Sequence, residues 1–139
     1  MCGRYKLQDP EWVEADFSTA FPTLSDAVRR PRYNVAPGQV ILAVRQLGSA
    51  RTLEEFRWGV EAPWKGGPPQ MINARAETLA VKPAFRDAFR HRRCLVLADG
   101  WYEWQAAPGG RQPWFIRARD AGPMALAGLW ERWTDPADG

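Results

Sequence analysis

Histidine, cysteine and lysine are all scarce in this 139-residue sequence, which holds one His, two Cys and three Lys. Each shortage excludes something. A single histidine and two distant cysteines, Cys2 and Cys94, do not make a ligand set, so no metal is expected. Neither a phosphate-cradling glycine loop nor a dinucleotide fingerprint occurs, so no cofactor is expected. No apolar run approaches the ~18 residues of a membrane span, and residues 1–20 lack a signal-peptide pattern. These absences predict no membrane partner, a cytoplasmic location and reduced thiols rather than a disulfide. There is also no internal repeat and no low-complexity segment.

What is present describes one soluble domain over residues 1–139, long enough for a real core and too short for two. Hydrophobic residues make up 45% and charged residues 25%, the balance of a globular protein. The net charge of +3 is modest, but 16 of the 19 basic residues are arginine. Arginine grips phosphates bidentately and stacks on bases, which suits nucleic acid. A GC-rich genome enriches Arg, Ala, Gly and Pro together, and takes the larger share of the explanation. Eight tryptophans are harder to account for by core packing, and stacking platforms for unpaired bases use them.

Along the chain, Asp9-Pro10 reads as an N-cap and first helical residue, with Trp12, Val13, Phe17 and Phe21 on one face of a helix over about 10–21. Residues 29–39, RRPRYNVAPGQ, read as an ordered loop. Val40–Arg45 is β-rich, and Gly48-Ser49 turns it back into a strand at 51–58. Residues 59–70, crowded with Gly and Pro around Trp64, read as a loop, and Met71–Asn73 as a brief strand. Pro83 opens a short helix. Strands follow at 93–98, 101–105, 113–118 and 123–130, with Pro108-Gly109-Gly110 as a hairpin turn. The fold class is α+β, mostly short antiparallel strands curled toward a barrel, with two or more flanking helices. The apolar strand at 123–130 lies nine residues from the end, which suggests a missing sheet partner and, at an edge, an aggregation hazard.

Cys2 directly follows Met1. A small second residue lets methionine aminopeptidase remove Met1, leaving a terminal cysteine with amine and thiol on adjacent carbons. Reference pKa values of roughly 7.7–8.0 and 8.5 leave both nucleophiles usable near neutral pH. The amine condenses with an aldehyde to an imine, and the thiol closes a thiazolidine ring. On position alone a chance cysteine at a frayed terminus is commoner. The rest of the sequence reverses those odds.

Four segments occur in order: Met1-Cys2-Gly3-Arg4-Tyr5, Tyr33-Asn34-Val35-Ala36-Pro37-Gly38, Ile72-Asn73-Ala74-Arg75-Ala76-Glu77-Thr78 and Ala98-Asp99-Gly100-Trp101-Tyr102-Glu103-Trp104. Together they closely resemble the SOS-response-associated peptidase (SRAP) family, whose members crosslink to abasic sites in single-stranded DNA. The resemblance implies the same barrel-like fold, and a monomer with abasic single-stranded DNA as its partner. It makes Cys2 the nucleophile that traps the ring-opened aldehyde, as part of the DNA damage response. Gly3 lets the terminus pack closely against the site, and Arg4 contacts a phosphate; a surface ion pair is the comparable alternative. Asn73 hydrogen-bonds near the terminal amine, and Arg75 binds phosphate from the same strand face. Glu103, a carboxylate among Trp101, Tyr102 and Trp104, is partly desolvated and serves as acid–base. Asn34 and Pro37, with Trp58 and Trp64, fall in the region that contacts and wedges against bases. Trp101 and Trp104 read as core, and Arg86–Arg93 as a solvated face.

The family's downstream histidine, in a His-x-Arg motif, has no counterpart here. His91 lies in Phe-Arg-His-Arg-Arg-Cys and reads as solvent-facing. The chain is accordingly expected to be a fragment, a truncated product or a short form, less stable than a longer relative. Covalent capture needs Cys2, Asn73 and Glu103, all present. One alternative is a thiol autopeptidase using Cys2 with Glu103 as base. Another is a non-catalytic single-stranded-DNA module.

Overall fold

The computed structural model describes residues 2–10, 12, 24–60 and 71–132. Its strands are β1 (Tyr5–Leu7), β2 (Arg32–Val35), β3 (Val40–Leu47), β4 (Ala50–Arg57), β5 (Arg93–Ala98), β6 (Gly100–Ala107), β7 (Gly110–Ile116) and β8 (Met124–Leu129). Two short helices are α1 (Asp26–Arg29) and α2 (Arg86–His91). Of the helix expected over 10–21, only Pro10 and Trp12 are described, and Trp12 is helical. The loop expected at 59–70, with Trp64, lies outside the described residues beyond residue 60.

Local chemistry makes the hairpins. Gly48 takes φ +61°, a left-handed conformation cheap only for glycine, and β3 and β4 then pair in unbroken register from Leu47↔Ala50 to Val40↔Arg57. Pro108 and Gly109 turn β6 into β7, again in unbroken register from Ala107↔Gly110 to Trp101↔Ile116. Pro37 and Gly38 (φ +84°) form a turn closed by Gln39 N donating to the Ala36 carbonyl at 3.2 Å.

The strands form two four-stranded antiparallel sheets, ordered β2-β1-β6-β7 and β4-β3-β5-β8. They are joined where β5 runs into β6 through Asp99. There Asp99 N donates to the Lys6 carbonyl, and Gln8 N donates to Asp99 Oδ2, both at 2.8 Å. Gly100 follows because nothing larger fits: an added Cβ would collide with the Ile116 carbonyl and stand 2.7 Å from Phe115 Cζ. The core joins Tyr5, Leu7, Val35, Leu42, Val44, Leu53 and Leu97, with Leu24 and Val28 from the α1 region. Leu42, Leu53 and Leu97 are fully buried, each contributing on the order of 1.5–3 kcal/mol.

Several expectations need correction. Residues 29–39 are not all loop, since Arg32–Val35 is β2 at a sheet edge. The α+β class of mostly antiparallel strands is as expected, and among the described residues its two sheets form no closed barrel. Trp101 packs against the core, but Trp104 does not belong to it: it is 39% exposed on the outer face of β6. The strand at Met71 is a single bridge to Val60. One expectation holds: β8 is an edge strand, paired only with β5 among the described residues.

Candidate active site at the chain's N-terminal cysteine

β1 has β2 on one side and β6 on the other, so whatever precedes Tyr5 is carried to the rim of that sheet. The register Tyr5↔Trp101 continues one step outward, where Tyr102 N donates to the Arg4 carbonyl at 2.9 Å. The next step sets Gly3 opposite Glu103. Strand alternation places Glu103 on the same side of β6 as Trp101. The expectation for Gly3 is not met within this chain, because an added Cβ finds no atom within 4 Å among the described residues. That space is open.

Cys2 is half-buried against the core cluster, and its Sγ donates to the Arg4 carbonyl at 3.4 Å. Burial pushes the thiol above its ordinary pKa, and the nearby Glu103 carboxylate pushes the same way; the positive chain terminus opposes them. Glu103 is half-buried. Asn73 arrives from a different part of the chain, and its Nδ2 donates to the Cys2 carbonyl at 2.7 Å. Asn73 thus reaches Cys2 across 71 positions and fixes its backbone by a hydrogen bond, while Glu103 lies near enough to act on the thiol electrostatically.

Asn73 lies in an irregular stretch whose preceding residues are held by the segment at the end of β4. Val60 N donates to the Met71 carbonyl at 3.0 Å, and Trp58 Nε1 donates to the Ile72 carbonyl at 2.9 Å. The Trp58 ring packs on Tyr5, with centroids 5.5 Å apart. Its backbone ties down the Pro37 turn, accepting from Gly38 N at 2.8 Å and donating to the Gln39 carbonyl at 2.9 Å.

The remaining predicted residues divide. Arg4 is half-buried, its Nε enclosed with no partner among the described residues. Asn34 is exposed on β2, the strand next to β1. Arg75 is exposed two residues past Asn73, but not on a strand. Its carbonyl accepts from Thr78 N and Leu79 N at 3.1 and 3.0 Å, so a turn starts there and the shared strand face does not exist. His91 ends α2, exposed as expected. Trp64 lies outside the described residues. Sequence reasoning passed over Tyr5, which is 2% exposed with its hydroxyl unpartnered among the described residues. Its alternation with Lys6 and Leu7 was the available signal. No group of three His, Cys, Asp or Glu that could hold a metal occurs among the described residues. No helix among them is long and apolar enough to cross a membrane.

Compared with known proteins, residues 1–139 match SOS response associated peptidase (SRAP). The abasic site processing protein YoqW of Bacillus subtilis is 39% identical over 142 residues, covering 98% of this chain and 62% of its own length. The abasic site processing protein HMCES of Gallus gallus is 35% identical over 126 residues, covering 80% of this chain and 34% of its own. Among solved structures, a phage-related protein from Bordetella bronchiseptica is 31% identical with TM-score 0.70, covering 96% of this chain and 63% of that one. The chain thus spans about three fifths of the length of YoqW. A match over all 139 residues, with this degree of identity to such relatives, shows that the chain belongs to the SOS response associated peptidase (SRAP) family.

Proposed function

We propose that this chain processes abasic sites in single-stranded DNA by covalent capture through Cys2, after removal of Met1. The observation that carries the reading is the Asn73 amide 2.7 Å from the Cys2 carbonyl, with the Glu103 carboxylate acting electrostatically on the same cysteine. The relatives named as abasic site processing proteins supply the substrate class.

The chemistry balances without a cofactor. The Cys2 amine attacks C1′ of the ring-opened sugar, and water leaves as the imine forms. The Cys2 sulfur then adds to the imine carbon, its proton passes to nitrogen, and a thiazolidine closes. Glu103 carries protons in both steps, delivering one to the departing hydroxyl and accepting one from the thiol. Asn73 holds the Cys2 carbonyl, so that amine and thiol present a fixed geometry to the aldehyde. Arg4, Asn34, Pro37 and Arg75 contact the DNA strand around the lesion, and the open space over Gly3 admits the sugar. The protein acts as a monomer in the cytoplasm, on exposed single strands.

The geometry favours capture over self-cleavage. The Asn73 amide is spent on the carbonyl of Cys2, one peptide beyond the Met1–Cys2 bond that an autopeptidase would polarise. Intact-mass spectrometry with single-stranded DNA bearing one abasic site tests the reading, beside a Cys2→Ala control. The expected mass is protein lacking Met1 plus DNA minus one water, absent from the control. A folded chain with a free Cys2 terminus and no adduct would leave only DNA binding.

A further inference from the structure

Trp58 sits at the end of β4 and engages three separate parts of the fold. Its ring rests on Tyr5, three residues after the nucleophile, at an interplanar angle of 57°. Its backbone makes both hydrogen bonds to the Pro37 turn, through Gly38 and Gln39. Its indole Nε1 is donated at 2.9 Å to the carbonyl of Ile72, whose neighbour Asn73 holds Cys2. The ring is half-buried and packed against the core cluster. A base-stacking platform needs a free aromatic face; this ring is half-buried, in tilted contact with Tyr5, and has its polar edge committed to Ile72.

The stretch around Asn73 has little else to hold it. Residues 72–75 belong to no strand or helix, and the ladder from β4 reaches only the single bridge at Met71. An amide on an irregular segment keeps its direction only as well as the adjacent backbone is fixed. Here the adjacent carbonyl is fixed by the indole.

We infer that Trp58 is a positioning residue, whose indole N–H orients the Ile72–Asn73 peptide so that the Asn73 amide meets the Cys2 carbonyl. Its role is not to stack on DNA bases. The chemical consequence rests on the capture reading above; the positioning itself does not. Loss of one hydrogen bond that aims an active-site group translates to roughly a fivefold to tenfold slower capture.

Trp58→Phe keeps a ring on Tyr5 and removes the donor, so it isolates the hydrogen bond. In the DNA-free protein, proton–nitrogen correlation spectra should show the Asn73 side-chain amide displaced from solvent-exposed values, and Trp58→Phe should return it to them. With abasic single-stranded DNA at saturation, capture should slow about fivefold to tenfold, with unchanged affinity for undamaged single strands. Adding Trp58→Phe to Asn73→Ala should then slow capture no further. Weaker binding to undamaged DNA with an unmoved Asn73 signal would overturn the inference and make Trp58 a stacking surface. No change in either readout would overturn it too. Should the variant not fold, slow solvent exchange of the wild-type Trp58 indole proton is the required result, and rapid exchange refutes the assignment. Failure of the wild-type chain to form any adduct would sink the capture reading alone, leaving the Asn73 signal to decide the role of Trp58.

Discussion

The Cys2 thiol and the Glu103 carboxylate act on each other in two ways whose signs differ. As a fixed negative charge, Glu103 helps burial to hold the thiol above its ordinary pKa, which makes it a poorer nucleophile at neutral pH. As the proton carrier proposed above, the same group would speed imine formation and ring closure. Glu103→Gln separates the effects. Removing the charge lowers the thiol pKa, so the pH midpoint for iodoacetamide alkylation at Cys2 should move down. Abasic-site capture should nevertheless slow, by about 10²-fold or more. Capture that quickens together with alkylation would reduce Glu103 to an electrostatic bystander. Cys2, Asn73 and Glu103 could be singled out in the sequence because each lies inside one of four ordered motifs, and the fold places Asn73 on Cys2 and Glu103 close enough to act on its thiol. Trp58 was legible only as an aromatic. Nothing in a linear sequence says where an indole N–H points, and the bond to Ile72 spans 14 positions. Trp104 misled for a related reason: Trp101 and Trp104 sit on opposite sides of β6, and alternation cannot say which side faces the core until the second sheet is in place.

Among the elements, those bounded by turn chemistry were the easiest to read. Gly48 and the Pro108-Gly109 pair mark the two long hairpins, and β5 falls where its apolar run begins and ends. β2 was missed because Pro31 and Pro37 flank it within a basic run. As an edge strand paired only with β1 among the described residues, it needs hydrogen bonds on one side alone, so prolines at its ends cost little. The least visible feature was the passage of β5 into β6, one continuous run that changes sheets at Asp99-Gly100. The tight contact there makes a prediction. Gly100→Ala drives a methyl into the Ile116 carbonyl and the Phe115 ring across the β6–β7 pair, and should cost about 1–3 kcal/mol by overpacking. Gly3→Ala, with open space around it, should stay within about 0.5 kcal/mol. Thermal melts of the two variants beside wild type would check this. An effect of Gly3→Ala on capture alone would then report on the DNA that enters the space.

At the scale of the whole molecule, the two cysteines couple stability to pH. Cys94 lies on β5 opposite Gly128 of β8, where an added Cβ would stand 2.9 Å from its sulfur, and burial pushes its thiol up to about 11. Cys2 is shifted in the same direction, and so is the phenol of Tyr5, mainly by burial. An unfolded thiol titrates near roughly 8.5. Above that pH the unfolded chain releases its protons while the folded chain retains them. The unfolded state then binds fewer protons, and stability falls with rising pH. The contribution is fully present below about pH 8.5, and for Cys94 it is lost progressively as pH rises toward about 11. Tyr5 extends the loss from about pH 10 upward. The Cys94 part amounts to roughly 3–4 kcal/mol at most, at about 1.4 kcal/mol per pKa unit between about 8.5 and about 11. Melting temperature should therefore hold level from pH 7 to 8 and decline from pH 8.5 to 10. Cys94→Ala starts from a lower melting temperature, because it leaves a small void under β8, but should decline less steeply over that interval. An unchanged slope in Cys94→Ala would move the alkaline loss to the Cys2 rim of the first sheet, and Cys2→Ala would then have to flatten it.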